Sequence, residues 1–215
     1  MEIKRLKPHE IEQRSFEIIS AELAQCSTRQ FAPEEEPVVK RVIHTSADFE
    51  YAQSLEFSPG AVSRGTEALR RGAHIVTDTT MALSGISKMA LRQLGGEAHC
   101  FIADSDVAAR AKQDGDTRSA VSMEKAAELG VPLIFAIGNA PTALIRLNEL
   151  IAEGRVEPEL IVGVPVGFVN VVESKELFIG GKTPYIISHG RKGGSNVAAA
   201  IINALLYQII TREGF

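Results

Sequence analysis

From about residue 60 onward, short apolar runs alternate with longer stretches of helical periodicity, the pattern of βαβ units that close a parallel sheet. Five strands are predicted: His74 to Thr77, His99 to Ala103, Leu133 to Ile137, Leu160 to Val164 and Tyr185 to Ser188. Their runs are continuously apolar rather than alternating, as expected for strands covered on both faces. Helical periodicity predicts helices over Glu10 to Ala24, Glu34 to Ile43, Val62 to Arg71, Met81 to Leu94, Arg118 to Leu129, Thr142 to Ala152 and Val197 to Thr211. Ser58 ahead of Pro59, Asn139 and Ser195 are candidate caps for first-turn amides. Before residue 60 the chain is helical with no evident strand, which suggests an added helical layer or a partner-facing element.

The expected fold is therefore α/β: a three-layer, doubly wound, mainly parallel five-stranded sheet of flavodoxin-like type with extra N-terminal helices. A chain of 215 residues is large enough for one well-buried core, and a single domain over residues 1–215 is expected. Hydrophobic residues make up 45% and charged residues 23%, close to folded averages. The net charge of −4 argues against nucleic-acid binding through a broad basic face. The longest apolar stretches, Leu160 to Val172 and Val197 to Ile210, are about 13 residues, short of the roughly 20 that cross a bilayer. No apolar segment follows the charged start MEIKRLKPHE, so the cytoplasm is the default location. Two cysteines, Cys26 and Cys100, give neither a disulfide framework nor a CxxC pattern.

Ligands of open parallel sheets bind beyond the carboxyl ends of the strands, where loops and helix starts converge. That rule selects Asp78-Thr79-Thr80, Asp104-Ser105-Asp106, Gly138 to Thr142, Pro165-Val166-Gly167 and His189 to Ser195. The run GRKGGSN, residues 190–196, places two cations beside glycines that allow close backbone approach, an arrangement suited to an anion. A glycine-rich turn with solvated Arg191 and Lys192 is the alternative. GGKT at 180–183 looks like the end of a phosphate loop, but its first glycine would fall at Glu176, so the motif fails.

Among five histidines, His74 and His99 open proposed strands, His9 lies near a helix start and His189 ends a strand. His44 ends the apolar pattern Val38, Val39, Val42, Ile43 and leads into Thr45, Ser46 and Asp48. In a continuing helix Asp48 would neighbour His44 at i, i+4, where it could orient the ring and raise its pKa. A core histidine bonded to a carbonyl is the alternative. No HExxH or paired His/Cys spacing points to a metal, and no nucleophile elbow is present. A histidine acting without either suggests proton transfer or isomerisation.

Seven segments in order, IEQRSFEII, RVIHTSADFEY, DTTMALSGI, GDTRSA, AIGNAPTAL, GVPVGFVNVVESKE and HGRKGGSNVAAAIINAL, resemble the precorrin-8X methylmutase family across nearly the whole chain. The resemblance implies an isomerase of cobalamin biosynthesis that moves a methyl group between adjacent carbons of a corrin macrocycle. It needs no cofactor, and its product is hydrogenobyrinate or, with cobalt, cobyrinate. It places the acid/base histidine on His44 and a substrate-contacting serine on Ser15, and it implies a homodimer. A ring rimmed by carboxylates suits Arg118, Arg191 and Lys192 as cationic partners. Asp78, Thr79, Asn139, Thr142, Gly193, Gly194 and Ser195 are expected on the same substrate-binding rim, where helix capping is the competing role for Asn139 and Thr142. A corrinoid carrier with the same pocket but no turnover is the alternative function.

Overall fold

The computed structural model describes residues 7–210. Six strands form one sheet: β1 (Leu55–Phe57), β2 (His74–Thr77), β3 (Ala98–His99), β4 (Leu133–Ile137), β5 (Leu160–Gly163) and β6 (Tyr185–Ser188). Their order is β1-β6-β5-β4-β2-β3. The last five strands run parallel, in the order second, first, third, fourth, fifth that characterises flavodoxin-like sheets. β4, β5 and β6 are buried along their whole length, which explains their uninterrupted apolar character.

Two strands depart from expectation. β1 adds an antiparallel edge, pairing Leu55 with Ser188 and Phe57 with Ile186; three residues with Glu56 in the middle carry too little apolar signal to be read as a strand. β3 stops at His99 rather than Ala103, so the apolar run beyond it is loop.

The helices are α1 (Pro8–Cys26), α2 (Glu36–Ser46), α3 (Tyr51–Ser54), α4 (Ala61–Arg70), α5 (Thr80–Gly85), α6 (Lys88–Gln93), α7 (Ser105–Asp114), α8 (Arg118–Ala127), α9 (Pro141–Ala152), α10 (Val171–Glu176) and α11 (Ser195–Tyr207). One face of the sheet is covered by α2, α4, α6 and α11, with Val42, Leu69, Leu91 and Ile201 among the buried side chains. The other is covered by α8 and α9 through Met123, Leu144 and Leu147. α1 packs outside α2. The result is three layers with an additional N-terminal helix, and no helix of the described residues is long and apolar enough to cross a membrane.

The helix predicted over Met81 to Leu94 is broken at Ile86-Ser87. Ser87 caps α6 by accepting from the Ala90 amide, and Asn203 of α11 accepts from the Ser87 amide, so the break is held by the neighbouring helix. The predicted end at Thr211 lies outside the described residues. The proposed caps are also displaced. Gly60, Ala140 and Gly194 occupy the cap positions of α4, α9 and α11, while Ser58 Oγ accepts from the Tyr185 amide in the sheet.

Candidate active site

The loops after β2, β4, β5 and β6 interlock through backbone contacts. Asp78, just past β2, is 1% exposed; its carboxylate accepts from the amides of Gly138, Asn139 and Ala140 at 2.9, 2.8 and 2.6 Å. Burial pushes its pKa up, against the three amides that favour the charged form. Asp78 was expected on the substrate rim, capping a helix or touching the ring edge; it latches two loops, with both oxygens accepting from backbone amides. Thr79 caps α5 through the Ala82 amide and meets Ser195 Oγ at 2.7 Å, tying the β2 loop to the start of α11.

Glycines make these approaches close enough. A Cβ on Gly138 would stand 2.6 Å from Ser195 Cα, and one on Gly193 would stand 2.1 Å from the Val164 carbonyl oxygen. GRKGGSN is thus a turn clamped against the β5 loop. The Gly194 amide donates to the Val164 carbonyl and the Gly167 amide to the Arg191 carbonyl.

Lys175 of α10 supplies the strongest part of that clamp. It is 1% exposed, and its ammonium donates to Ser188 Oγ, the Gly190 carbonyl and the Lys192 carbonyl at 3.2, 2.8 and 2.9 Å. Burial without a carboxylate partner lowers its pKa to about 8. A lysine set between charged and polar neighbours in ESKE carries no mark of such burial in the sequence.

His44 lies in the last turn of α2, exposed, with its ring stacked on Phe16 of α1 at a centroid distance of 5.2 Å. Arg41 lies over the same Phe16 ring at 4.7 Å and pairs with Glu12 at 2.6 Å. Partial burial, then the Arg41 charge, lower the His44 pKa below the ordinary imidazole value, with Glu12 acting the other way. The expected Asp48 partnership does not form. Ala47 turns left-handed at φ 54° and ends α2, and Asp48 instead accepts from Lys192 Nζ at 2.6 Å. That bond holds the Asp48 carboxyl below its usual range.

The same ion pair, joined by Glu50 at 2.7 Å, occupies the Lys192 ammonium and raises its pKa. Lys192, read from sequence either as a carboxylate partner or as a solvated turn residue, pins the α2–α3 corner to the β6 loop. Arg118, the first residue of α8, and Arg191 are exposed and make no ion pair among the described residues. Arg191 lies over the Phe168 ring at 5.3 Å. Thr142 accepts a hydrogen bond from Thr117, the cap of α8, at 3.1 Å, which sets Arg118 beside the start of α9. Asn139 is exposed on the same loop. Ser15 donates to the Ile11 carbonyl at 2.8 Å, one residue before the Phe16 that carries His44.

A cavity of about 330 Å³ opens between Thr45, Ser46, Asp48 and Tyr51 on one side and Val166, Lys192, Gly193 and Asn196 on the other. His44 stands immediately before its first wall residue. A larger cavity of about 910 Å³ lies at the amino ends of β5 and β6, walled by α4. Its charges are partly mutual, since Arg71 pairs with Glu67 and Glu159, and none of the predicted site residues reaches it.

The structure thus brings Thr79, Ser195, Gly193, Gly194 and Lys192 to one rim, with Asn139, Thr142 and Arg118 on its β4 side and His44 at the adjoining helix end. Sequence reasoning missed the roles of Phe16, Tyr51 and Lys175. Phe16 and buried Tyr51, whose hydroxyl donates to the Gly193 carbonyl at 3.4 Å, lie within the segments IEQRSFEII and RVIHTSADFEY, but nothing in those segments marks either ring for a role.

Residues 10–208 match the family model of precorrin-8X methylmutase. The chain is 46% identical over 200 residues to the cobalt-precorrin-8 methylmutase of Priestia megaterium, covering 93% of this chain and 88% of that one. It is 47% identical over 206 residues to the cobalt-precorrin-8 methylmutase of Salmonella typhimurium, with 94% and 96% covered. The solved structure of precorrin-8X methylmutase from Thermus thermophilus superposes with a TM-score of 0.84 at 39% identity, covering 93% of this chain and 96% of that one.

Proposed function

The chain belongs to the precorrin-8X methylmutase family, and on that premise we propose that His44 is the acid/base group with which it isomerises precorrin-8X or its cobalt form. As an isomerase of cobalamin biosynthesis, it moves a methyl group between neighbouring ring carbons, so no atom is gained or lost overall. The observation that carries the assignment is the placement of His44. It is exposed at the end of α2, stacked on Phe16 rather than bonded to a carboxylate, beside a cavity whose far wall is the clamped glycine loop.

An imidazolium with a lowered pKa gives up its proton readily to a conjugated ring, and the neutral imidazole so formed takes it back when the methyl group has moved. Arg118 and Arg191 face solvent without ion-pair partners among the described residues and are suited to the carboxylates at the ring edge. Asn139 and Thr142 contribute polar contacts on the same side, and Ser15 holds its place next to Phe16. Gly193, Gly194 and Ser195 shape the wall, and Asp78, Thr79 and Lys192 position it.

The cavity beside His44 is at the small end of ligand sites, which run from about 300 to 1,000 Å³, and a corrin macrocycle exceeds it. Phe168, Val169 and Met81 near the loops are 81%, 77% and 69% exposed. We infer that a second copy of the chain supplies the missing wall, making a homodimer the working unit.

The test is to mix the protein with precorrin-8X, and separately with cobalt-precorrin-8, and follow the product chromophore. Wild type converts at least one of them, and His44→Ala lowers kcat by about 10²- to 10⁴-fold while still binding the ring. An active His44→Ala enzyme rejects the assignment.

A further inference from the structure

β3 lies at the edge of the sheet opposite β1, paired with β2. Ile75 faces Ala98 and Val76 faces His99. Side chains alternate along a strand and paired residues share a face, so this register puts His74, Glu97 and His99 on one side of the edge. Their ligating atoms all lie within 4.8 Å of one another. His74 Nδ1 is 2.9 Å from His99 Nε2, and the two rings stack at 5.1 Å, inclined by 21°. Phe101 also stacks on the His99 ring, at 5.8 Å, and Thr77 Oγ1 donates to the His99 carbonyl at 3.2 Å. His99 is thereby held from ring and backbone.

We propose that His74, Glu97 and His99 form a binding site for a divalent first-row transition-metal ion such as Zn²⁺, through two imidazole nitrogens and a carboxylate oxygen. Two imidazoles and one carboxylate are a ligand set zinc accepts, with a fourth position left to water. Zn–N bonds of about 2.0–2.1 Å at a tetrahedral angle separate the nitrogens by roughly 3.3 Å, so the nitrogens need to part by about 0.4 Å while the rings turn to point both lone pairs at the ion. The histidines are half-buried and Glu97 is exposed, which leaves the site open to solvent and the carboxylate free to adjust. Nitrogen donors select this class of ion over Mg²⁺ or Ca²⁺, which take oxygen sets. His74 opens β2 whereas Asp78 and Thr79 follow its far end, so the site is distinct from the rim near His44.

The test is calorimetric titration of the untagged full chain with zinc chloride, alongside His99→Gln, Glu97→Gln and the double variant His74→Asn/His99→Gln. One equivalent is expected to bind wild type at micromolar affinity or better, with binding at least about tenfold weaker in each single variant. Zinc should raise the melting temperature of wild type by mass action and leave that of the double variant unmoved. Circular dichroism checks that the variants fold, and zinc-edge X-ray absorption of loaded wild type, expected to show two imidazole nitrogens, decides the matter if they do not. Undiminished stoichiometric binding by the double variant overturns the proposal by placing the ion elsewhere. No binding to wild type at about 100 μM zinc also overturns it, leaving the two histidines as a hydrogen-bonded pair.

Discussion

Ala47 decides the surroundings of His44. Its left-handed backbone ends α2 two residues short of the Asp48 that an i, i+4 pair would need, and Asp48 swings to Lys192. Partial burial and the Arg41 charge hold the imidazole below its ordinary value of about 6.5, and near neutrality most of it is uncharged. If the imidazolium is the proton donor, kcat should rise as pH falls below about 6.5, toward the lowered pKa; stopped-flow rates across that range check it. A flat profile would assign the neutral ring a hydrogen-bonding role. His44 itself was legible because an apolar helical face runs straight into polar residues there. Its lost partner was not, because alanine gives no sign of a left-handed turn. Lys175 was illegible for the opposite reason: a cation between two glutamates reads as solvated, and only the fold reveals three acceptors around its ammonium.

Among the elements, strands whose edges coincide with abrupt changes from apolar to polar residues were found to the residue: β2, β4 and β6. β1 escaped because a three-residue edge strand takes its stability from pairing with β6 rather than from its own pattern. α7 escaped because only Val107 and Ala111 of its residues are buried. The loops between elements held the candidate site, and the strand-end rule located them, yet it could not say which polar groups face outward. Asp78 shows the difference. Asp78→Asn would turn an amide NH₂ toward backbone N–H groups that now donate to the carboxylate, costing about 2 kcal/mol. For a chain of this size that lowers Tm by roughly 4–8 °C. Differential scanning calorimetry reads it directly, and an unchanged Tm would mean the latch contributes nothing to stability.

At the scale of the whole molecule, the alternation of strands and helices sufficed for the layers and the parallel sheet, since right-handed crossovers leave few alternatives. The size of the pocket at the rim was beyond reach, because pocket size and exposed apolar surface are properties of the folded surface. Sedimentation velocity should give a particle of twice the chain mass at micromolar concentration, and Phe168→Glu, on the exposed loop after β5, should shift it toward the single chain. A wild-type monomer would require the rim to hold the macrocycle unaided.

The glycine contacts carry a consequence for how such an enzyme can change. At Gly138 against Ser195, and at Gly193 against Val164, main chain rests on main chain with no side chain between to absorb a shift. The loops cannot be retuned one at a time, so variation is confined to outward positions such as Asn139, Val166 and Phe168. New substrate preferences are reached by exchanging those side chains on an unchanged frame, and a graft of any single loop from a relative succeeds only if the facing loop comes with it.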